Sequence, residues 1–197
     1  MQQNKELFMT TAFIKSALMF GNFKLKSGID SNVFFNIAKF NDGKSLNLLA
    51  ECYAFTIVNL NLNFDMIFGP AYKGIHIAAL TSEILWRKYN RNYPVAFNRK
   101  EEKTHGEGGS IIGASIQGNV LIIDDVLTKG TAIKQAINIV RSHKAHCTDA
   151  IVAVDREEIS EQTKTSITIY DTLNVAIHSI CTLSDIRKYS KEKTHSV

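Results

Sequence analysis

The chain has 197 residues, 45% of them apolar and 21% charged, which is enough for one domain with a full core and typical of a soluble globule. A net charge of +4 suits anionic small molecules such as phosphates and, without a concentrated basic face, argues against a nucleic-acid partner. Cys52, Cys147 and Cys181 form no C-x-x-C pair and have no histidine at ligand spacing, so they read as reduced, buried thiols of a cytoplasmic protein; Lys15 breaks the apolar run over 7–20, so neither a signal peptide nor a membrane span is expected.

In chain order, Leu7, Ile14 and Leu18 share one face of a predicted first helix that ends near Gly21. Two short strands follow over 23–25 and 33–37, joined by a polar turn. Leu46, Leu49, Tyr53 and Leu60 at helical spacing predict a helix over 45–60. A strand over 65–68 stops at Gly69-Pro70, a helix spans 74–89, and a strand covers 94–98. Residues 99–113 are rich in glycine and charge, with almost nothing apolar before Ile111, and predict a mobile exposed loop. Beyond the strand at 120–123 and its helix come a strand over 150–154, a helix over 162–171, a strand over 175–180 and a last short helix from Ser184. This alternation predicts an α/β fold, a mostly parallel central sheet flanked by helices, with a small N-terminal subdomain and a single domain across 1–197.

The most informative stretch is 119–136. Val120 to Ile123 form a β-branched apolar run, the pattern of a strand buried on both faces of a parallel sheet. Asp124 and Asp125 follow, and the desolvation cost of carboxylates predicts that the strand surfaces there, at the sheet edge where open α/β folds bind ligands. Thr128-Lys129-Gly130-Thr131 then leads into a helix with Ile133, Ala136, Ile137 and Val140 on one face. Gly130 permits close backbone approach, the threonine hydroxyls donate hydrogen bonds, and the free N–H groups of the helix start favour a phosphate. An acidic pair beside such a cradle suits a ribose 5-phosphate, with carboxylates on the 2- and 3-hydroxyls.

A second phosphate-loop pattern competes. Residues 38–45, Ala-Lys-Phe-Asn-Asp-Gly-Lys-Ser, lie between a predicted strand and helix, and 120–125 could supply the acidic motif of a nucleotide hydrolase. Against this, Phe40 is bulky, only Gly43 allows close backbone approach, Ser45 serves equally as a helix cap, and Lys44 reads as a solvated surface residue.

The stretch 120–131 resembles the phosphoribosyl diphosphate-binding motif of the type I phosphoribosyltransferases, from which Lys129 departs; the family has a small residue there, so the lysine is expected to point to solvent with only its backbone at the phosphate. Residues 98–109 resemble the catalytic loop of the orotate phosphoribosyltransferases in particular, and the carry-over gives Arg99, Lys100, Lys103 and His105 as groups that reach the diphosphate, partly from the other subunit of a dimer. Phe68-Gly69-Pro70-Ala71-Tyr72-Lys73-Gly74 matches the turn where Tyr72 and Lys73 meet the donor. Leu25-Lys26-Ser27-Gly28 and Phe34-Phe35-Asn36 resemble the segment that holds the base, although Ile29, Asn32 and Val33 depart from it. Arg156 stands where the family keeps an arginine for the orotate carboxylate, and a guanidinium fork suits a planar carboxylate.

The resemblance runs from about Phe20 to Arg156 and implies a type I phosphoribosyltransferase fold with a hood, joining orotate to 5-phospho-α-D-ribose 1-diphosphate in pyrimidine biosynthesis. It implies Lys103, His105 and Asp125 as catalytic groups. The donor would be held by Lys26, Tyr72, Lys73, Arg99, Lys100, Asp124, Asp125 and the loop Val126, Leu127, Thr128, Lys129, Gly130, Thr131 and Ala132; the base would be held by Phe34, Phe35, Thr128 and Arg156. It further implies Mg2+ carried mainly by diphosphate, ribose hydroxyls and water, and a homodimer with shared sites; the chain is expected to stand alone, with no appended decarboxylase. A purine-type transferase and a donor-binding sensor without chemistry remain the alternative readings.

Overall fold

Val120, Leu121, Ile122 and Ile123 are each at most 1% exposed, and the strand they build, β6 (Asn119–Leu127), lies inside a six-stranded sheet. The computed structural model describes residues 1–24, 30–103, 109–160 and 162–194. The sheet also contains β3 (Met66–Gly69), β4 (Val95–Lys103), β5 (Gly109–Gly113), β7 (His146–Asp155) and β10 (Ala176–Thr182), in the order β10-β7-β6-β3-β4-β5. Every neighbouring pair is parallel except β4 with β5.

The alternation of side chains along β6 divides the core. Leu121 and Ile123 join a cluster with α1 (Gln2–Ile14), α2 (Gly43–Asn59), α3 (Lys73–Tyr89) and α6 (Leu183–Thr194), through residues such as Phe8, Leu49, Tyr53, Ile77 and Ile186. Val120 and Ile122 join Ile133, Ala136, Ile137 and Val140 of α4 (Thr131–Ser142) and Ile169 of α5 (Thr165–Leu173) on the opposite face. Each such valine, leucine, isoleucine or phenylalanine contributes roughly 1.5–3 kcal/mol relative to exposure, so helices with one apolar stripe are held to both faces. Two short antiparallel pairs stand outside the sheet: β1 (Leu18–Lys24) with β2 (Asp30–Phe35), forming the hood, and β8 (Ile159–Ser160) with β9 (Thr163–Lys164).

The strand order sets the place of the site. From β3 the chain crosses through α3 to β4 on one side, then returns after β5 to place β6 on the other side of β3. The connections therefore diverge between β3 and β6, and the carboxyl ends of these strands open a crevice, the usual ligand position in open α/β sheets.

Several elements differ from the sequence reading. The first helix stops at Ile14, and Ser16 turns the chain with φ 54. Leu18 begins β1 instead of continuing the helix; α1 buries Phe8, Met9 and Ala12, while Leu7 and Ile14 are exposed. Of the expected loop over 99–113, residues 99–103 belong to β4 and 109–113 to β5, two antiparallel strands at the sheet edge that pair Asn98 with Ile111 and Lys103 with Gly109, and 104–108 lie outside the described residues. β6 does not surface at the aspartates but runs on to Leu127, so both acids lie within a buried strand. The rival phosphate loop lacks its sheet: β2 pairs with β1 outside the central six strands. There Asp42 caps α2, accepting from the Ser45 N–H at 2.9 Å in a capping box, and Lys44 is exposed.

Candidate active site

Two glycines bring the crevice walls together. A Cβ on Gly69, at the end of β3, would lie 2.4 Å from the Gly74 carbonyl oxygen; one on Gly74 would lie 2.8 Å from the Ile123 carbonyl oxygen. Only glycine lets the start of α3 sit this close to both β3 and β6. The intervening turn is steadied by Asn98 of β4, whose Oδ1 accepts from the Ala71 N–H at 2.8 Å. The exposed Tyr72 ring that follows carries the Lys100 ammonium 4.6 Å from its centroid, a cation–π contact linking this turn to β4.

Lys73, the first residue of α3, reaches Asp125 across the crevice, with Nζ 2.6 Å from Oδ2. Asp124 is 6% exposed and Asp125 9%. The Asp125 N–H donates to Asp124 Oδ1 at 2.9 Å, and the Tyr53 hydroxyl of α2 donates to the Asp124 carbonyl at 2.7 Å, fixing the strand end from below. Burial, and then the charge of Asp125, push the Asp124 carboxyl up to about 7. His76, one turn along α3 from Lys73, is held below the usual imidazole value by its burial.

Beyond Leu127, Gly130 adopts φ 75 and starts α4; a Cβ there would meet Ile169 Cδ1 at 2.8 Å. Thr128, Lys129, Thr131 and Ala132 are exposed around it, Val126 is half-buried and Leu127 is core. The start of α4 therefore follows the aspartates of β6 by one short loop, and no side chain caps its first N–H groups.

Arg156 follows β7, and its N–H donates to the Leu127 carbonyl at 3.0 Å, so it stands next to the same loop. The side chain is nearly buried. Nε donates to Glu158 Oε1 at 3.2 Å and Nη2 to Ser31 Oγ of the hood at 3.0 Å, while Glu158 Oε2 is buried without a partner among the described residues. Phe34 packs against Phe23 (centroids 5.5 Å), whereas Phe35 turns the other way onto Phe8 (5.9 Å), so the two adjacent rings occupy opposite faces of β2.

The structure thus brings Tyr72, Lys73, Lys100, Asp124, Asp125, the loop over 126–132 and Arg156 to one sheet edge. Arg99 is half-buried on β4, with Nε lacking a partner among the described residues. Lys103 is described only as the last backbone position of β4, and Lys26 and His105 lie outside the described residues. Tyr53, Asn98, Ser31 and Glu158 were not singled out as site residues in the sequence. A tyrosine on an apolar helix face was the one available signal, since a buried phenol needs an acceptor.

The class that this sheet edge defines is confirmed by comparison: residues 39–185 match the family model described as Phosphoribosyl transferase domain. An orotate phosphoribosyltransferase of Colwellia psychrerythraea is 40% identical over 98% of this chain and 88% of its own length; one of Salmonella paratyphi A is 41% identical over 98% and 91%. The crystal structure of orotate phosphoribosyltransferase from Francisella tularensis superposes with a TM-score of 0.84, at 36% identity, covering 94% of this chain and 90% of that one. The chain belongs to the phosphoribosyltransferases and, among them, to the orotate phosphoribosyltransferase family.

Proposed function

We infer that this chain transfers the 5-phosphoribosyl group from 5-phospho-α-D-ribose 1-diphosphate to orotate, giving orotidine 5-phosphate and diphosphate in pyrimidine biosynthesis. The observation that carries the reading is the juxtaposition at the β3–β6 crevice: the acidic pair beside the open start of α4, with Lys73 facing it and Arg156 on the adjoining strand end.

Breaking the bond at the anomeric carbon builds positive charge on the ribose and negative charge on diphosphate. Carboxylates near the sugar and cations near the leaving group therefore stabilise the transition state more than the ground state. Asp124 and Asp125 hold the ribose hydroxyls and blunt the developing sugar charge. Backbone amides over 126–132, with the Thr128 and Thr131 hydroxyls, take the 5-phosphate. Tyr72 and Lys73 meet the diphosphate. Lys103 leads the cations of the hairpin, assisted by Arg99, Lys100 and His105, and Lys26 adds a further contact to the donor. Arg156 takes the orotate carboxylate, and Phe34 and Phe35 of the hood flank the base, one by its ring and the other by its backbone.

Among the described residues no group of three His, Cys, Asp or Glu side chains comes together as a metal cage. The two adjacent aspartates fit an ion held mainly through diphosphate, ribose hydroxyls and water. When bound, Mg2+ supplies positive charge against the diphosphate. The chain works as one phosphoribosyltransferase domain in a cytoplasmic homodimer, each site completed by the hairpin of the other subunit, and none of its described helices is long and apolar enough to cross a membrane.

The direct test is the fall in orotate absorbance on adding donor and Mg2+. Consumption of orotate supports the assignment; turnover of a purine base with the same donor, and none of orotate, would replace it.

A further inference from the structure

We propose that Lys129 is a specificity-determining residue on the base side of the site, supplying the unpaired positive charge that draws a carboxylate-bearing base into the cleft in front of Arg156. The inference rests on the reading that orotate presents its carboxylate to Arg156, which alone of the residues assigned to the base lines this cleft. The lysine is where the chain departs from the small residue of its family's phosphate loop.

Lys129 lies between Thr128 and Gly130, where the left-handed conformation of Gly130 turns the chain into α4. The exposed side chain lines a cleft of about 480 Å3 together with Asp30 and Ser31 of the hood and Arg156 and Glu158 beyond β7. The cleft therefore joins the hood to the sheet edge at Arg156, and Lys129 is the residue of the phosphate loop that faces it.

Four of the seven charged groups lining this cleft cancel in two pairs. Arg156 is bound by Glu158, and Lys164 Nζ sits 2.6 Å from Glu157 Oε1, so neither cation leaves a net charge for an incoming anion. Among the described residues Lys129 has no ion-pair partner; the remaining charged groups of the lining are Arg187, farther along on α6, and Asp30. Arg156 thus contributes geometry, a guanidinium held at Nε and Nη2, while Lys129 contributes an uncompensated charge from the phosphate loop, as Arg187 does from α6. An ammonium on a flexible stem suits that role, because it follows the ligand as a point charge while the fork sets its orientation.

The test is steady-state kinetics with base and donor varied separately, on the wild type and on Lys129→Ala, Lys129→Arg and Arg156→Ala. For Lys129→Ala the KM for orotate rises roughly 3- to 10-fold, the value of one partly exposed charge contact, and the rise shrinks with added salt. The kcat and the donor KM change less than about twofold, and Lys129→Arg restores the orotate KM. An unchanged orotate KM in Lys129→Ala overturns the proposal, and so does a rise confined to the donor KM, which would put the lysine on the 5-phosphate. A wild type that consumes no orotate defeats the functional reading itself; an active wild type impaired by Arg156→Ala but not by Lys129→Ala defeats only this inference.

Discussion

The Lys73 ammonium and the Asp125 carboxylate meet across the β3–β6 crevice at 2.6 Å, so two charges assigned to the donor face each other in the protein alone. The Lys73 side chain is half exposed, which keeps the pair weak and easily exchanged for a ligand. In the proposed function an incoming diphosphate would take the lysine and a ribose hydroxyl the aspartate. Lys73→Ala should weaken donor binding roughly 10- to 100-fold, the value of a hydrogen bond to a charged group, while changing stability by less than about 1 kcal/mol. Equilibrium binding and thermal unfolding check the two halves separately, and a variant that binds donor normally would remove Lys73 from the site.

Asp124 gives a prediction in pH. Its carboxyl is raised in the folded protein, first by burial and then by Asp125, from the ordinary 3.8 to about 7. Between those values the native chain holds a proton that the unfolded chain has lost. This carboxyl therefore lowers stability as pH rises from about 4 to 7, and the effect levels off above. Asp124→Asn removes the penalty: it should be roughly 1–3 kcal/mol more stable than the wild type at pH 8, little different at pH 4, and poorly active. Denaturant melts at the two pH values decide; a variant that loses stability at pH 8 would show that the charged carboxyl is well accommodated.

The hairpin is tested through Lys103. Lys103→Ala should lower turnover roughly a hundredfold or more while leaving donor affinity within a few-fold, because the role proposed for it is to meet the diphosphate charge that develops in the transition state. Mixing this variant with inactive Asp125→Asn should restore some activity if each site draws its hairpin from the other subunit. Mixed dimers that stay inactive would place the hairpin over its own subunit's site.

Gly74→Ala probes the crevice walls. A methyl group there would press on Pro70 Cδ and the Ile123 carbonyl, neither of which can move without shifting α3 or β6. The cost should be about 1–3 kcal/mol of stability, with donor affinity falling as Lys73 moves from Asp125. Calorimetric melting with and without donor separates the effects, and a fully active, equally stable variant would show that this spacing is not required.

The strand and helix alternation was legible because parallel strands buried on both faces, such as 120–123 and 150–154, are plain apolar runs. The Asp124-Asp125 and Gly130 constellation was legible because its residues are contiguous. Four features were hidden for physical reasons. An edge hairpin wetted by solvent carries charges where a buried strand carries valine, so β5 and the half of β4 beyond Asn98 read as loop. β1 begins with Leu18-Met19-Phe20, apolar residues that extend the helical pattern of α1, and only the turn at Ser16 separates the two. The contact of Ser31 with Arg156 spans 125 positions, and no local spacing encodes it. Carboxylates inside a strand read as its end, because the cost of burying them is lowered by a proton on Asp124 and by the contact of Asp125 with Lys73, which lies 52 positions away.

The central claim is that the end of β6 and the start of α4 grip the sugar phosphate of the donor. Calorimetric titration of 5-phospho-α-D-ribose 1-diphosphate with Mg2+ into the wild type and the double variant Asp124→Asn, Asp125→Asn measures this most directly. A saturable heat with the wild type, weakened at least about tenfold in a folded double variant, is the predicted result. No heat with the wild type, or equal affinity in both proteins, would contradict it.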